Sequence, residues 1–130
     1  MFTIQQIEQS HEKVKSGAEF PAYIQEIKQL GVLLSFETWV SNSHTVYFGS
    51  NGFQTQSLPK YDNLEISSQL KKEKFKNYLK IHQEGQTDYF TFCKHCAETG
   101  IEKWIVDLTN MTCTYYHITG ITVLLEKIPS

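Results

Sequence analysis

The chain has 130 residues, 40% hydrophobic and 13% aromatic, which is enough for a single domain over residues 1–130 with a substantial core. Twelve Lys+Arg against fourteen Asp+Glu leave a formal charge of −2 with the signs interspersed, and this excludes the basic footprint of a nucleic-acid binder. No apolar run approaches the ~20 residues of a membrane-spanning helix, the first residues lack a continuous signal-peptide core, and an odd count of cysteines, three, fits reduced thiols; the expectation is a soluble cytoplasmic protein that does not engage nucleic acid or membrane.

Thr3 followed by Gln6 is a capping-box pattern, after which Ile4, Ile7, His11 and Val14 fall on one helical stripe. The spacing predicts a short first helix ending at Ser16 and Gly17. A second opens around Glu19, Phe20 and Pro21, where proline is tolerated because its missing N–H would have no intrahelical acceptor. Its stripe is Phe20, Tyr23, Ile24, Ile27 and Leu30, and Gly31 is the residue type that closes such a helix in the left-handed conformation. From Ser35 the pattern changes to β-branched and aromatic runs that predict strands over 36–40, 45–48 and 53–58. Asn51-Gly52 is the strongest turn signal, since both residues accept the positive φ of a tight hairpin, and Pro59 stops the ladder.

Residues 60–68 read as a connector. Ser67 or Ser68 is the predicted cap of a third helix with the stripe Phe75, Tyr78, Leu79 and His82, ending at Gly85. Its lysines 71, 72, 74 and 76 make a solvated face. Thr87 and Asp88 open a fourth helix, Gly100 closes it, and strands are predicted over 103–108, 112–116 and 121–128.

The second half replays the first. Residues 17–40 and 85–107 each carry an acidic residue before an aromatic (Glu19 and Phe20, Asp88 and Tyr89), a second aromatic three residues on (Tyr23, Phe92) and a closing glycine (Gly31, Gly100). Gly17 pairs with Gly85, Gly31 with Gly100 and Gly52 with Gly120, at separations of 68 or 69. Glycine marks backbone that needs special dihedrals, so a constant offset predicts one backbone path used twice. The expected fold is α+β: two ααβββ repeats, residues 1–59 and 68–130, in a pseudo-twofold arrangement, with helices packed on an antiparallel sheet.

The stretches SGAEFPAYIQEIKQLGV, SHTVYFG, GQTDYFTFCKHCAETGIEKWIVDL, MTCTYY and the terminal EKIP together resemble the YbcV-like family of small uncharacterised bacterial proteins, some members of which are labelled phage envelope protein. The resemblance covers nearly the whole chain and implies no particular activity, substrate or cofactor. Nothing in the sequence, neither a membrane segment nor a coat-forming repeat, goes with the envelope label.

Cys93-Lys94-His95-Cys96 has the C-x-x-C spacing of zinc sites and thiol exchange. The second pair of a structural zinc site is missing, with only Cys113 left, and the motif lies in the middle of a predicted helix. At 100° per residue Cys93, Cys96, Tyr89 and Phe92 share one face while His95 points roughly 160° from Cys93. The repeat aligns Cys93 with Ile24 and Cys96 with Ile27, so these cysteines are expected to pack in the core. Histidines 11, 44, 82, 95 and 117 show no paired-ligand spacing. His11 and His82 occupy stripe positions, where a hydrogen-bonded, half-buried imidazole is expected. His44 starts a strand beside a polar turn, with Glu37 and Tyr47 across the hairpin, a grouping suited to acid–base work. There is no glycine-rich phosphate loop and no nucleophile elbow, and Asn110-Met111-Thr112 is read as a chance glycosylation sequon.

These residues predict a non-catalytic binding or interaction module with no cofactor, no metal and no assigned catalytic residue; the alternative is a small metal or thiol-redox protein, or an enzyme, using Cys93, Cys96, Cys113 or His44. Strand parity adds a surface. If Phe36, Thr38 and Val40 face the helices, Trp39 faces away, and the same division sets Tyr47 against Val46 and Phe48, Trp104 and Val106 against Ile105, and Tyr115 against Tyr116. Contiguous exposed apolar surface marks a contact site, so Trp39, Phe48 and Tyr116 are expected to line a homodimer interface or, second, a ligand groove.

Overall fold

The computed structural model of the protein describes residues 3–12, 19–29 and 34–129. Along them run α1 (Ile4–Glu12), α2 (Phe20–Gln29), β1 (Ser35–Trp39), β2 (His44–Phe48), β3 (Gln54–Gln56), α3 (Lys72–Gln83), α4 (Tyr89–Thr99), β4 (Ile101–Asp107), β5 (Thr112–His117) and β6 (Thr122–Lys127). The expectations for Val14, Gly17, Leu30 and Gly31, and for the His11 side chain, lie outside the described residues.

Local chemistry explains most of the helix ends. Thr3 and Gln6 form the reciprocal capping box, with Gln6 N–H donating to Thr3 Oγ1 at 3.2 Å and Thr3 N–H to Gln6 Oε1 at 2.9 Å. Asp88 caps α4 by accepting from Thr91 N–H at 2.8 Å, and Gly100 closes it with φ 92°. The third helix departs from expectation: neither Ser67 nor Ser68 caps it, and it begins only after Lys71, which makes no side-chain cap. Ser67 instead folds its hydroxyl onto Gln69 N–H at 3.1 Å. The backbone here is drawn onto the end of α4, with Ser67 N–H on Ala97 O at 2.8 Å and Lys71 N–H on Thr99 O at 3.0 Å. These two bonds hold residues 67–71 against the end of α4.

The strands join in the order β3-β2-β1-β4-β5-β6, every neighbouring pair antiparallel. The fold is thus α+β, as the sequence predicts, and the order of elements α-α-β-β-β occurs twice. Positive φ occurs at Ser43 (62°) and Met111 (53°), just before β2 and β5, and at Gly52 (76°) and Gly120 (87°), just before β3 and β6. Asn51, at φ 58°, takes the positive φ its turn requires. The third strand is shorter than the predicted 53–58. After Gln56 the ladder ends at Ser57, whose N–H donates to Thr45 O at 2.9 Å while its Oγ accepts from Thr45 N–H at 3.0 Å, and Leu58 stands 80% exposed. The fourth strand starts two residues early, directly from Gly100, with a bulge between Ile101 and Lys103.

Alternation within the strands divides the sheet into two faces. Phe36, Tyr47, Trp104, Val106 and Tyr115 are buried on one. Rings from the helices reach this face: Tyr23 of α2 meets Phe36 at 6.5 Å, Phe75 of α3 meets Tyr115 at 5.0 Å, and Phe92 of α4 meets Trp104 at 5.8 Å. The core lies in this layer, with Ile7, Ile24, Ile27 and Phe75 fully shut off from solvent; each such side chain contributes about 1.5–3 kcal/mol relative to an exposed one.

Candidate functional site

Packing between the helices and the covered face is incomplete. α2 lies over one part of the sheet with Phe20, Pro21 and Tyr23, and the α3 and α4 pair over another with Leu79, His82 and Phe92; between them is a cavity of about 380 Å³. Its floor runs from Thr45 and Tyr47 on β2 to Glu126 and Lys127 on β6, so it spans five strands. Strand neighbours lie ~4.8 Å apart, which makes the floor roughly 19 Å wide. Eight aromatic side chains line it. They touch in series: Phe36 packs on Tyr47 at 5.4 Å, Tyr89 meets Trp104 edge-on at 6.3 Å and 88°, and Trp104 meets Tyr115 at 6.2 Å.

A few polar groups sit among these rings. Thr38 and Thr45, opposite each other in the β1 and β2 ladder, share a hydrogen bond at 2.9 Å. The Tyr89 hydroxyl bonds Ser43 Oγ at 2.5 Å, and Lys60 Nζ lies 5.7 Å from the Tyr89 ring centre. At the β6 end Gln83 Nε2 donates to Glu126 Oε1 at 2.8 Å. His82 stacks flat on Phe92 (4.3 Å, 6°), with Nδ1 3.1 Å from Thr87 O and 2.9 Å from its Oγ1. Burial lowers the His82 pKa, so the imidazole is neutral near pH 7. Burial raises the phenols of Tyr23, Tyr89 and Tyr115 far above their ordinary range, and they stay protonated donors.

The cysteines do not gather into a reactive centre. Cys93, Cys96 and Cys113 are free and buried, Cys93 and Cys96 as fully as Ile24 and Ile27 of α2. Burial pushes the Cys93 thiol up to about 11 and Cys113 to about 12, and raises Cys96 well above its usual value. A reactive thiol needs the opposite shift. Among the described residues no three His, Cys, Asp or Glu side chains stand close enough to hold a metal ion.

The grouping expected around His44 does not form. Tyr47 belongs to the opposite face, 4% exposed against Phe36, because it stands an odd number of positions from His44. Glu37 pairs with Lys103 at 3.1 Å, and His44 Nε2 is 2.6 Å from Gln56 Oε1.

Trp39, Phe48 and Tyr116 all lie on the uncovered face and are half-buried there. The registers put Trp39, Lys103 and Tyr116 side by side on β1, β4 and β5. Lys103 Nζ sits 4.7 Å from the Trp39 ring centre and 5.5 Å from that of Tyr116. Phe48 is farther along the sheet, opposite Ser35 and Gln54. The cavity itself is not a feature the sequence reading anticipates. Inward rings on four adjacent strands, Phe36, Tyr47, Trp104 and Tyr115, were its only visible signal, since the gap between α2 and α4 depends on helix placement.

A family model matches residues 8–127, nearly the full length. The chain belongs to that family, Protein of unknown function (DUF1398). It is also 26% identical over 98 residues to uncharacterised proteins of Mycobacterium bovis and of two Mycobacterium tuberculosis strains, covering 75% of this chain and 59% of theirs. The chain thus spans less than two thirds of the length of these relatives. No described helix is long and apolar enough to cross a membrane.

Proposed function

We propose that the chain is a non-catalytic binding module that takes a small molecule into the cavity between α2, the α3 and α4 pair, and the sheet. The observation that carries this is the cavity itself: about 380 Å³, walled by aromatic rings, with a small number of polar groups among them. Ligand pockets have this size and this mixture of apolar wall and sparse polar anchors. The thiols, raised by burial, and His44, tied to Gln56 without an acid–base partner, support binding over chemistry. A test uses Trp39→Phe, which leaves Trp104 as the remaining tryptophan, titrated with 1-naphthol and with decanoate. A saturable change in Trp104 emission with either is expected; silence with both removes the proposal.

A second reading, self-association through the uncovered face, rests on the shared location there of Trp39, Phe48 and Tyr116. Sedimentation as a dimer that Trp39→Ser reduces to monomer is its expected result, and a monomer at all concentrations ends it. The YbcV-like affiliation, a cytoplasmic setting for three free thiols, and a pseudo-twofold between two ααβββ units belong to the same set of proposals. The last is supported by the doubled element order and the matched turn dihedrals.

A further inference from the structure

Resting on that reading of the cavity, we infer that its ligand is an uncharged planar aromatic molecule carrying a hydrogen-bond acceptor for Trp104 Nε1–H and a donor for His82 Nε2. Two buried groups of the wall are left incomplete by the protein. Trp104 is only 6% exposed, yet its indole N–H has no hydrogen-bond partner among the described residues. A buried indole normally finds one. The nitrogen is not sealed inside protein, and its ring is part of the cavity wall.

His82 supplies the complementary group. It is 8% exposed and also lines the cavity. The Thr87 carbonyl beside Nδ1 can only accept, which favours the proton on Nδ1 and leaves Nε2 presenting a lone pair, with the Thr87 hydroxyl as the second group at Nδ1. Nε2, like the indole nitrogen, has no partner among the described residues and is not enclosed. Both rings pack on Phe92, Trp104 at 5.8 Å and His82 at 4.3 Å, so a free donor and a free acceptor flank one aromatic side chain. Around them stand Tyr115, Tyr89 and Thr38, rings and hydroxyls without formal charge. A flat π system makes offset or edge contacts with such walls that an alkyl chain does not, and the charged side chains of the wall are of both signs, Lys60 and Lys127 against a Glu126 engaged by Gln83, so the wall calls for no single charge on the ligand.

The test compares four probes on Trp39→Phe protein below neutral pH: 7-hydroxycoumarin, with a lactone acceptor and a phenol donor; 7-methoxycoumarin, with the donor blocked; coumarin, without it; and decanoate, apolar but not aromatic. The expected result is that 7-hydroxycoumarin binds about five- to tenfold tighter than the methoxy and parent compounds, the range of one hydrogen bond. His82→Phe, which keeps a ring stacked on Phe92, should erase that difference. Trp104→Phe, followed by the coumarin's own emission, should weaken all three coumarins by a similar factor. The methoxy comparison needs no anchor variant, so it stands even if His82→Phe folds poorly. Equal affinity for the three coumarins, or tighter binding of decanoate, overturns the ligand class while leaving a binding module. If no probe binds, the cavity proposal falls with it.

Discussion

Ile105 and Val106 are consecutive residues of β4, yet Val106 is wholly shut off from solvent while Ile105 is half-buried on the other side. The same contrast separates the two faces of the whole sheet. The covered face puts Phe36, Tyr47, Trp104 and Tyr115 beneath helices, and hydroxyls and the neutral His82 stand among these rings, with Lys60, Glu126 and Lys127 also along the cavity. The uncovered face sets charged and polar side chains between its rings, as where Lys103 bonds Glu37 and lies over Trp39 and Tyr116. A ring on that face is kept by a neighbouring cation or amide, whereas a ring on the covered face is kept by other rings. The covered face has a volume that its own side chains do not fill.

The largest effect expected from this contrast is in stability. Phe36→Ala should cost about 3–5 kcal/mol, as for other buried phenylalanines, while Phe48→Ala on the uncovered face should cost about 1 kcal/mol; urea unfolding of the two variants measures both. Gly100 sharpens the point at the backbone. A Cβ there would meet Gln69 O at 2.8 Å and His117 Nδ1 at 3.0 Å at a φ of +92°, whereas at Gly120 it would meet nothing within 4 Å at a φ of +87°. Gly120→Ala should cost about 1–2 kcal/mol from the dihedral alone, and Gly100→Ala about 1–3 kcal/mol more from the contact.

Acid should act first through the covered face. Burial lowers the His82 pKa, so between its folded value and the unfolded value near ~6.5 the unfolded chain binds the extra proton. The His82 contribution is therefore complete above that window and is lost as pH falls through it. His95, moved the same way by burial, adds to the fall. The melting temperature of His82→Phe should decline less steeply than that of the parent over this range. Breaking the Lys103 and Glu37 pair on the uncovered face with Glu37→Gln, which leaves Lys103 over its rings, should cost no more than about 1 kcal/mol, the ceiling for a solvent-accessible ion pair. The thiols give an all-or-none readout: Cys93, Cys96 and Cys113 should be inert to a disulfide reagent at neutral pH in the folded protein and react once it is denatured.

The division into faces was legible in the sequence, because strand parity needs only the alternation of Phe36, Trp39, Tyr47, Phe48, Tyr115 and Tyr116. So were the capping box at Thr3 and Gln6, the closure at Gly100 and the burial of Cys93 and Cys96, all governed by neighbours within a turn or by the face of a single helix. The start of α3 was not, since residues 67–71 are held by Ala97 and Thr99, about 30 positions away. Neither was the cavity. Phe92 and Trp104 read as core residues from pattern alone, and a wall of core residues around an unfilled space has the same alternation as a core without one. Tyr47 is no partner of His44, because residues an odd number of positions apart on one strand face opposite ways.

The central claim, that the covered face and not the uncovered one receives the ligand, is tested most directly by the two tryptophans, which stand on opposite faces. In Trp39→Phe, 7-hydroxycoumarin should quench Trp104 emission saturably. In Trp104→Phe, the emission of Trp39 should stay unchanged at the same probe concentrations. A saturable response from Trp39 with none from Trp104 would contradict the account and assign binding to the uncovered face.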